Sequence, residues 1–262
     1  RTFCDADIER RKEIPLLEDP KEGDHAFRVM KAYEQWLGKE PKLRMSLCLL
    51  YFTSLFDRPT ELETFKILES VHSNELMLKD LRSREGELAI STLRELDLVY
   101  PANEDDTLEC HPLITEYFEE RFRERDNNAW KDAHGKLFEH YKSKGNEEAK
   151  TFEDIAPFFT AIVHGCKAGL YSEALNVYRN KITRKDEFFA TRTFGVFNAE
   201  VKILFYFFEE AWFKPVDKLN DSEKIVVLRC AGFDLVMLKR FDAGLVAMET
   251  ALKLAQDTDD ID

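Results

Sequence analysis

The sequence predicts a mainly α-helical protein with one short β-hairpin between two helical regions, and three observations carry that reading. Apolar residues recur at helical spacing along nearly the whole chain. The period drops to two in only one place, "LDLVYP" (Leu96 to Pro101) and "TLECH" (Thr107 to His111), on either side of a turn-rich "ANEDD". Two later segments, "AGLYSEAL" (Ala168 to Leu175) and "LKRFDAGL" (Leu238 to Leu245), repeat one pattern of an aromatic, a polar turn-flanking residue and a small residue. The chain therefore divides into residues 1–23, 24–126 and 127–262.

Residues 1–23 read as a charged linker, or the tail of a preceding module, ending in a Pro/Gly turn. With no initiator methionine there, a fragment of a longer protein is expected. From Asp24, an expected N-cap, "HAFRVMKAYEQWL" sets Phe27, Met30, Ala32, Tyr33, Trp36 and Leu37 near one stripe, and Gly38 then Pro41 stop the helix. The next helix, "KLRMSLCLLYFTSLF", is apolar on almost every side and must be buried. "DRP" ends it, Thr60 is the expected cap of "ELETFKILESV", and "GELAISTLRELDLV" forms a further amphipathic helix before the hairpin. Pro112, suited to a first helical position, then opens "LITEYFEERFRER", acidic early and basic late as the helix dipole favours.

Helices, a hairpin and one more helix is the order of a winged-helix module. Many such modules bind DNA, but here the candidate recognition helix "GELAISTLREL" carries more acid than base, and the hairpin tip is acidic where phosphate contact needs Lys or Arg. Overall charge agrees: 51 acidic against 38 basic side chains leave a formal −13, which opposes binding to nucleic acid or to an anionic membrane. A transcription regulator is thereby disfavoured.

In the second half, Ala174 and Gly244 lie 70 positions apart, close to twice the 34-residue tetratricopeptide period. A degenerate unit is expected between them, with "FGVFNAEVKILFYFFEEAWFKP" helical and its "FYFF" (Phe205 to Phe208) split between core and surface. Gly232, Gly244 and Ala251 take the close-approach positions of the last helix pair, with Leu235, Phe241 and Met248 filling between them. The fold class is thus mainly α: a winged-helix domain with a short β-hairpin followed by a tetratricopeptide-like helical repeat array.

Candidate chemistry is sparse. The chain has no phosphate loop, nucleophile elbow, His-Glu-x-x-His or Cys-x-x-Cys, and ten glycines leave little material for a phosphate cradle. No enzyme activity is expected of this segment. Five scattered cysteines do not form a secreted disulfide framework and point to reduced thiols and a cytoplasmic protein; no signal peptide or membrane-spanning run is present. His134 and His140, six residues apart on one helix, do not share a face, and His164 and Cys166 diverge likewise, so packing is the expected role of each. Glu104 to Asp106 and Asp257 to Asp262 lack calcium-loop spacing and read as solvated turns. His111 stands directly ahead of an apolar helix, where its own context favours a residue that caps or packs.

The runs "HAFRVMKAYEQWL", "LYFTSLFDRP" and "CHPLITEYFEERF" together resemble the winged-helix region that follows the nucleotide-binding module of bacterial STAND NTPases, the signalling class that includes plant disease-resistance and animal apoptosome-type proteins. "AWKDAHGKLFEHYK", "TFEDIAPFFTAIVHGCKAGLYSEAL" and "RCAGFDLVMLKRFDAGLVAMETALKL" are similar to the tetratricopeptide-like part of the same proteins, so the resemblance covers nearly the whole chain. It implies a regulatory and sensor segment that recognises a protein trigger through its repeats. It implies no cofactor within the segment itself, ADP or ATP with Mg in an NTPase module of the same polypeptide, homo-oligomerisation of the parent on activation, and a role in antiviral defence. His111 matches the histidine that in this class reaches the β-phosphate of ADP and holds the inactive state. Plant members have Asp after that histidine; here it is Pro112, so any role of that Asp does not carry over. The alternative is a free-standing winged-helix and repeat scaffold with no nucleotide switch.

Overall fold

The computed structural model describes residues 22–71, 73, 76–100, 106–146, 148–185 and 187–257, with side chains from residue 26 onward. The linker expected over residues 1–23 lies almost wholly outside them, as do the hairpin tip 101–105 and the acidic run 258–262. The protein is mainly helical. It forms two compact units, Arg1–Ala133 and His134–Asp262.

In the first unit, α1 (Glu22–Lys39), α2 (Arg44–Thr53), α3 (Leu62–Phe65), α4 (Arg84–Glu95) and α5 (Pro112–Arg125) surround a core centred on α2. Every α2 residue from Met45 to Thr53 is buried, as an all-round apolar helix requires. α1, α4 and α5 pack against it, with Tyr51 and Phe52 meeting Phe118 and Phe122 edge-on or tilted at ring separations of 5.2–5.8 Å. Met30, Tyr33 and Leu37 on α1 are buried as their spacing predicts.

Three local expectations change. Asp24 falls inside α1 and does not cap it; an acid is favourable anywhere in a first turn, so the sequence signal does not fix the cap. Thr60 does not cap a helix either. Thr60–Glu61 forms strand β1, antiparallel to β2 (Thr107–Leu108) with Thr60 opposite Leu108, and the helix after it lasts four residues before tightening into a 3₁₀ turn. Of the expected hairpin, the described residues show one bridge, Tyr100 to Glu109, flanking β2. The cause lies at the end of α4: Asp97 takes a left-handed conformation (φ 56°), the Leu98 N–H closes back onto the Leu93 carbonyl, and Leu98 and Val99 are spent as buried anchors.

The second unit contains most of α6 (Asn127–Lys144) and two helix pairs. The first pair is α7 (Phe152–Ala168) with α8 (Tyr171–Val177), and the second is α11 (Asp221–Met237) with α12 (Phe241–Asp257). The pairs are built alike. Each begins with a capping box, Thr151 with Asp154 and Asn220 with Glu223. Each turns through one left-handed residue, Gly169 (φ 84°) or Lys239 (φ 62°). Each closes on small residues: a Cβ on Gly165 would stand 3.0 Å from Ala174, and one on Gly244 would stand 2.7 Å from Val236 and 3.1 Å from the Gly232 carbonyl. Lys239 bears a strain that Gly169 avoids, since a left-handed non-glycine residue costs about 1 kcal/mol. Lys239→Gly is therefore expected to raise the unfolding free energy by several tenths to 1 kcal/mol in chemical denaturation.

Between the pairs, α9 (Phe189–Phe194), α10 (Phe197–Leu204) and a ribbon of β3 (Phe208–Glu210) with β4 (Lys214–Pro215) replace the single helical run expected there. Gly195 (φ 68°) ends α9, and Trp212 (φ 67°) turns the ribbon. Pairing of strands is thus not confined to the neighbourhood of the first-unit hairpin. "FYFF" divides as expected: Phe205 is exposed, while Phe207 and Phe208 are buried. Phe241 does not fill the last pair; it is 60% exposed on the outer side of α12, and Met248 is 38% exposed although it also touches α11 near Gly232.

Candidate functional site

His111 is the only residue to which the sequence assigns a ligand role. It stands at the N-cap of α5, exposed, with extended backbone (φ −63°, ψ 141°) and Pro112 at the first helical position. The strand arm Thr107–Glu109 delivers it there. Its carbonyl accepts from Ile114 and Thr115 N–H, and its Nδ1 accepts from the Leu113 N–H at 3.2 Å. A nitrogen that accepts carries no proton, so the neutral imidazole holds its hydrogen on Nε2. That Nε2 has no partner among the described residues. One side chain thus satisfies an orphan helix donor and also presents an N–H beside the positive end of a 14-residue helix. Capping and ligand binding do not exclude each other here, because they use different nitrogens.

What fixes the α5 end of this arrangement is a residue the sequence reading passed over. Glu34, buried on α1, accepts from Tyr51 Oη at 2.6 Å on α2, and from Tyr117 Oη at 2.7 Å and Arg121 Nε at 3.0 Å on α5. Burial alone raises a carboxyl pKa. Here the three hydrogen bonds and the Arg121 charge outweigh it and hold the Glu34 carboxyl below its ordinary value, so it is ionised at neutral pH. Only its place between Tyr33 and the half-buried Trp36 hinted that it faces inward.

In the second unit the structure joins two histidines that the sequence kept apart. His134 on α6 and His164 on α7, both buried, bring their Nδ1 atoms to 2.8 Å, and Tyr141 stacks on His164 with rings 5.5 Å apart and 7° from parallel. Burial, and next the neighbouring His134, push His164 well below the usual histidine range. In the bond between them one Nδ1 carries a hydrogen and donates while the other accepts. His140 does not enter this bond. Among the described residues no group of three or more His, Cys, Asp or Glu side chains could hold a metal ion. Cys48, Cys110, Cys166 and Cys230 are free thiols; burial pushes Cys48, Cys110 and Cys230 up to about 12, away from thiolate reactivity. No helix among the described residues is long and apolar enough to cross a membrane.

The outer side of α12 is the other exposed feature. Phe241, Leu245, Met248 and Leu252, spaced four, three and four residues apart, form an exposed apolar stripe. The equivalent positions of the first pair are Tyr171, Leu175, Tyr178 and Ile182, each 70 residues earlier. Leu175, Tyr178 and Ile182 are fully covered. In comparisons with family models, curated proteins and solved structures, nothing matches this chain.

Proposed function

We propose that the chain is the regulatory and sensor segment of a bacterial STAND NTPase, its first unit a winged helix that reports the nucleotide state and its second a tetratricopeptide-like array that receives a protein trigger. The observation that carries the reading is His111: an exposed imidazole at a helix N-terminus, fixed through Nδ1 and carrying a free Nε2–H. A phosphate oxygen is the acceptor such a donor suits, because the ionised acceptor strengthens the bond and the helix dipole favours the negative charge. Strand β1 pairing beyond the hairpin supports the winged-helix order, and the matching construction of the two helix pairs supports the repeat reading. The α12 stripe gives the array an apolar surface for a protein partner.

The test uses the full-length polypeptide and His111→Asn. Asparagine is a good N-cap, so the helix keeps its capping bond, but its side chain is too short to reach a phosphate while capping. We expect the unit's stability to change by less than about 0.5 kcal/mol. One charge-assisted bond to ADP, about 1.5 to 3 kcal/mol, is lost from the inactive state, which shifts the inactive-to-active balance by roughly ten- to a hundredfold. ADP retained after purification, measured by chromatography of the released nucleotide, reads this directly. A full-length polypeptide that carries no nucleotide favours the free-standing scaffold, and unchanged ADP retention in His111→Asn reduces the histidine to a cap.

A further inference from the structure

In the second unit two acids are buried with no basic partner among the described residues. Glu200 on α10 and Asp234 on α11 are each 1% exposed, on helices that pack together. Tyr178, in the π-helical turn Tyr178–Ile182 that continues α8, donates its Oη hydrogen to Glu200 Oε2 at 2.8 Å, and the main-chain N–H of Thr191 on α9 also reaches this carboxyl. Glu200 Oε1 and Asp234 Oδ2 are buried with no hydrogen-bond partner among the described residues. The titratable groups facing the pair are Tyr178 from the π turn and Cys230 from α11; among the described residues no lysine, arginine or histidine acts on either carboxyl. Two ionised carboxylates so placed would repel within a buried seam, and the Tyr178 and Thr191 hydrogen bonds, both to Glu200, offset only part of their desolvation.

We propose that Glu200 and Asp234 are a proton-holding pair that closes the seam between α10 and α11 when protonated and loosens it when the protons leave. The arrangement is a pH-sensitive device within the repeat unit and does not depend on the nucleotide reading. Its working range follows from the chemistry of the pair. Burial raises Glu200 to about 7, and burial together with the Glu200 charge raises Asp234 to about 8. Because the folded state holds protons that the unfolded chain has already released, stability declines as pH rises from the ordinary carboxylate range through these values, and is level above them. His164 acts in the opposite sense, since a depressed histidine loses stability as pH falls below the ordinary histidine value. Variants compared with the wild type at each pH cancel that contribution.

The experiment measures the thermal midpoint of the whole chain, wild type against Asp234→Asn and Glu200→Gln, from about pH 5 to about pH 9. Each variant keeps the shape of the protonated acid and cannot ionise. The expected result is a small difference near pH 5 that grows in the variant's favour to roughly 5 °C above pH 8. A difference independent of pH overturns the proposal. Should both variants fail to fold, infrared spectroscopy of the wild type near pH 6, where exposed carboxyls are ionised, decides. A protonated-carboxyl stretch there that titrates away between about pH 7 and 8 supports the pair, and its absence refutes it.

Discussion

Glu34→Ala is expected to destabilise the first unit by about 3 kcal/mol, more than any other polar truncation in that unit. Removing the carboxylate takes away the acceptor shared by two tyrosine hydroxyls and one guanidinium from α2 and α5, of which Tyr51 keeps Arg125 and Arg121 keeps Glu124 as a further partner. Breaking a buried pair by deleting one partner costs about 3 to 5 kcal/mol. Arg121 is 41% exposed and regains water, which moves the expectation to the lower end of that range. Glu34→Gln keeps an acceptor but loses the charge, so about half the loss is expected. Urea unfolding at neutral pH measures both. The sign with pH is also fixed: Glu34 lies below its ordinary value when folded, so its contribution is present above that value and is lost as pH falls through the folded one. Equal stability of wild type and Glu34→Ala would mean that α1 is held to α5 by apolar packing alone. The same variant bears on the proposed function, because α5 carries His111 at its other end and a helix freed from α1 no longer presents that ring at a defined position.

These residues also explain what was legible in the sequence. The burial of Met45–Thr53 could be read because a helix with no polar side has nowhere else to go, Pro112 because its ring chemistry acts locally, and Gly244 because it repeats the small residue Ala174 at the spacing of two units. Glu34 could not be read: a glutamate beside a stripe is indistinguishable from a solvated one until Tyr51, Tyr117 and Arg121 arrive from 17 to 87 residues away. The His134–His164 bond, 30 residues apart, and the Glu200–Asp234 pair are tertiary in the same sense. β1 and the β3–β4 ribbon are only two or three residues per strand, too short to show a period of two. His111 was marked by resemblance and not by pattern, since no spacing rule singles out a histidine whose Nδ1 caps a helix.

Gly86→Ala sets local propensity against packing. In a helix, alanine exceeds glycine by about 1 kcal/mol, and Gly86 lies in the first turn of α4, so the sequence alone predicts stabilisation. The structure predicts the reverse. The turn before α4 folds back over its start: Ser83 N–H and Oγ–H both bond the Asp80 carbonyl, and Ser83 Oγ accepts from the Gly86 N–H at 3.2 Å. A Cβ on Gly86 would lie 2.4 Å from Leu81 Cα and 2.6 Å from both the Asp80 oxygen and the Leu81 carbonyl carbon. All three are backbone atoms, so relief requires moving the turn, and with it the buried Leu78 and Leu81 side chains that anchor it. Overpacking of this kind costs about 1 to 3 kcal/mol and more where rotamers cannot yield. A net loss of about 2 to 3 kcal/mol in urea unfolding is expected, together with faster hydrogen exchange at the start of α4. A neutral or stabilised Gly86→Ala would mean that the turn is not packed on the helix, and the entry to α4 would then be set by the Ser83 cap alone.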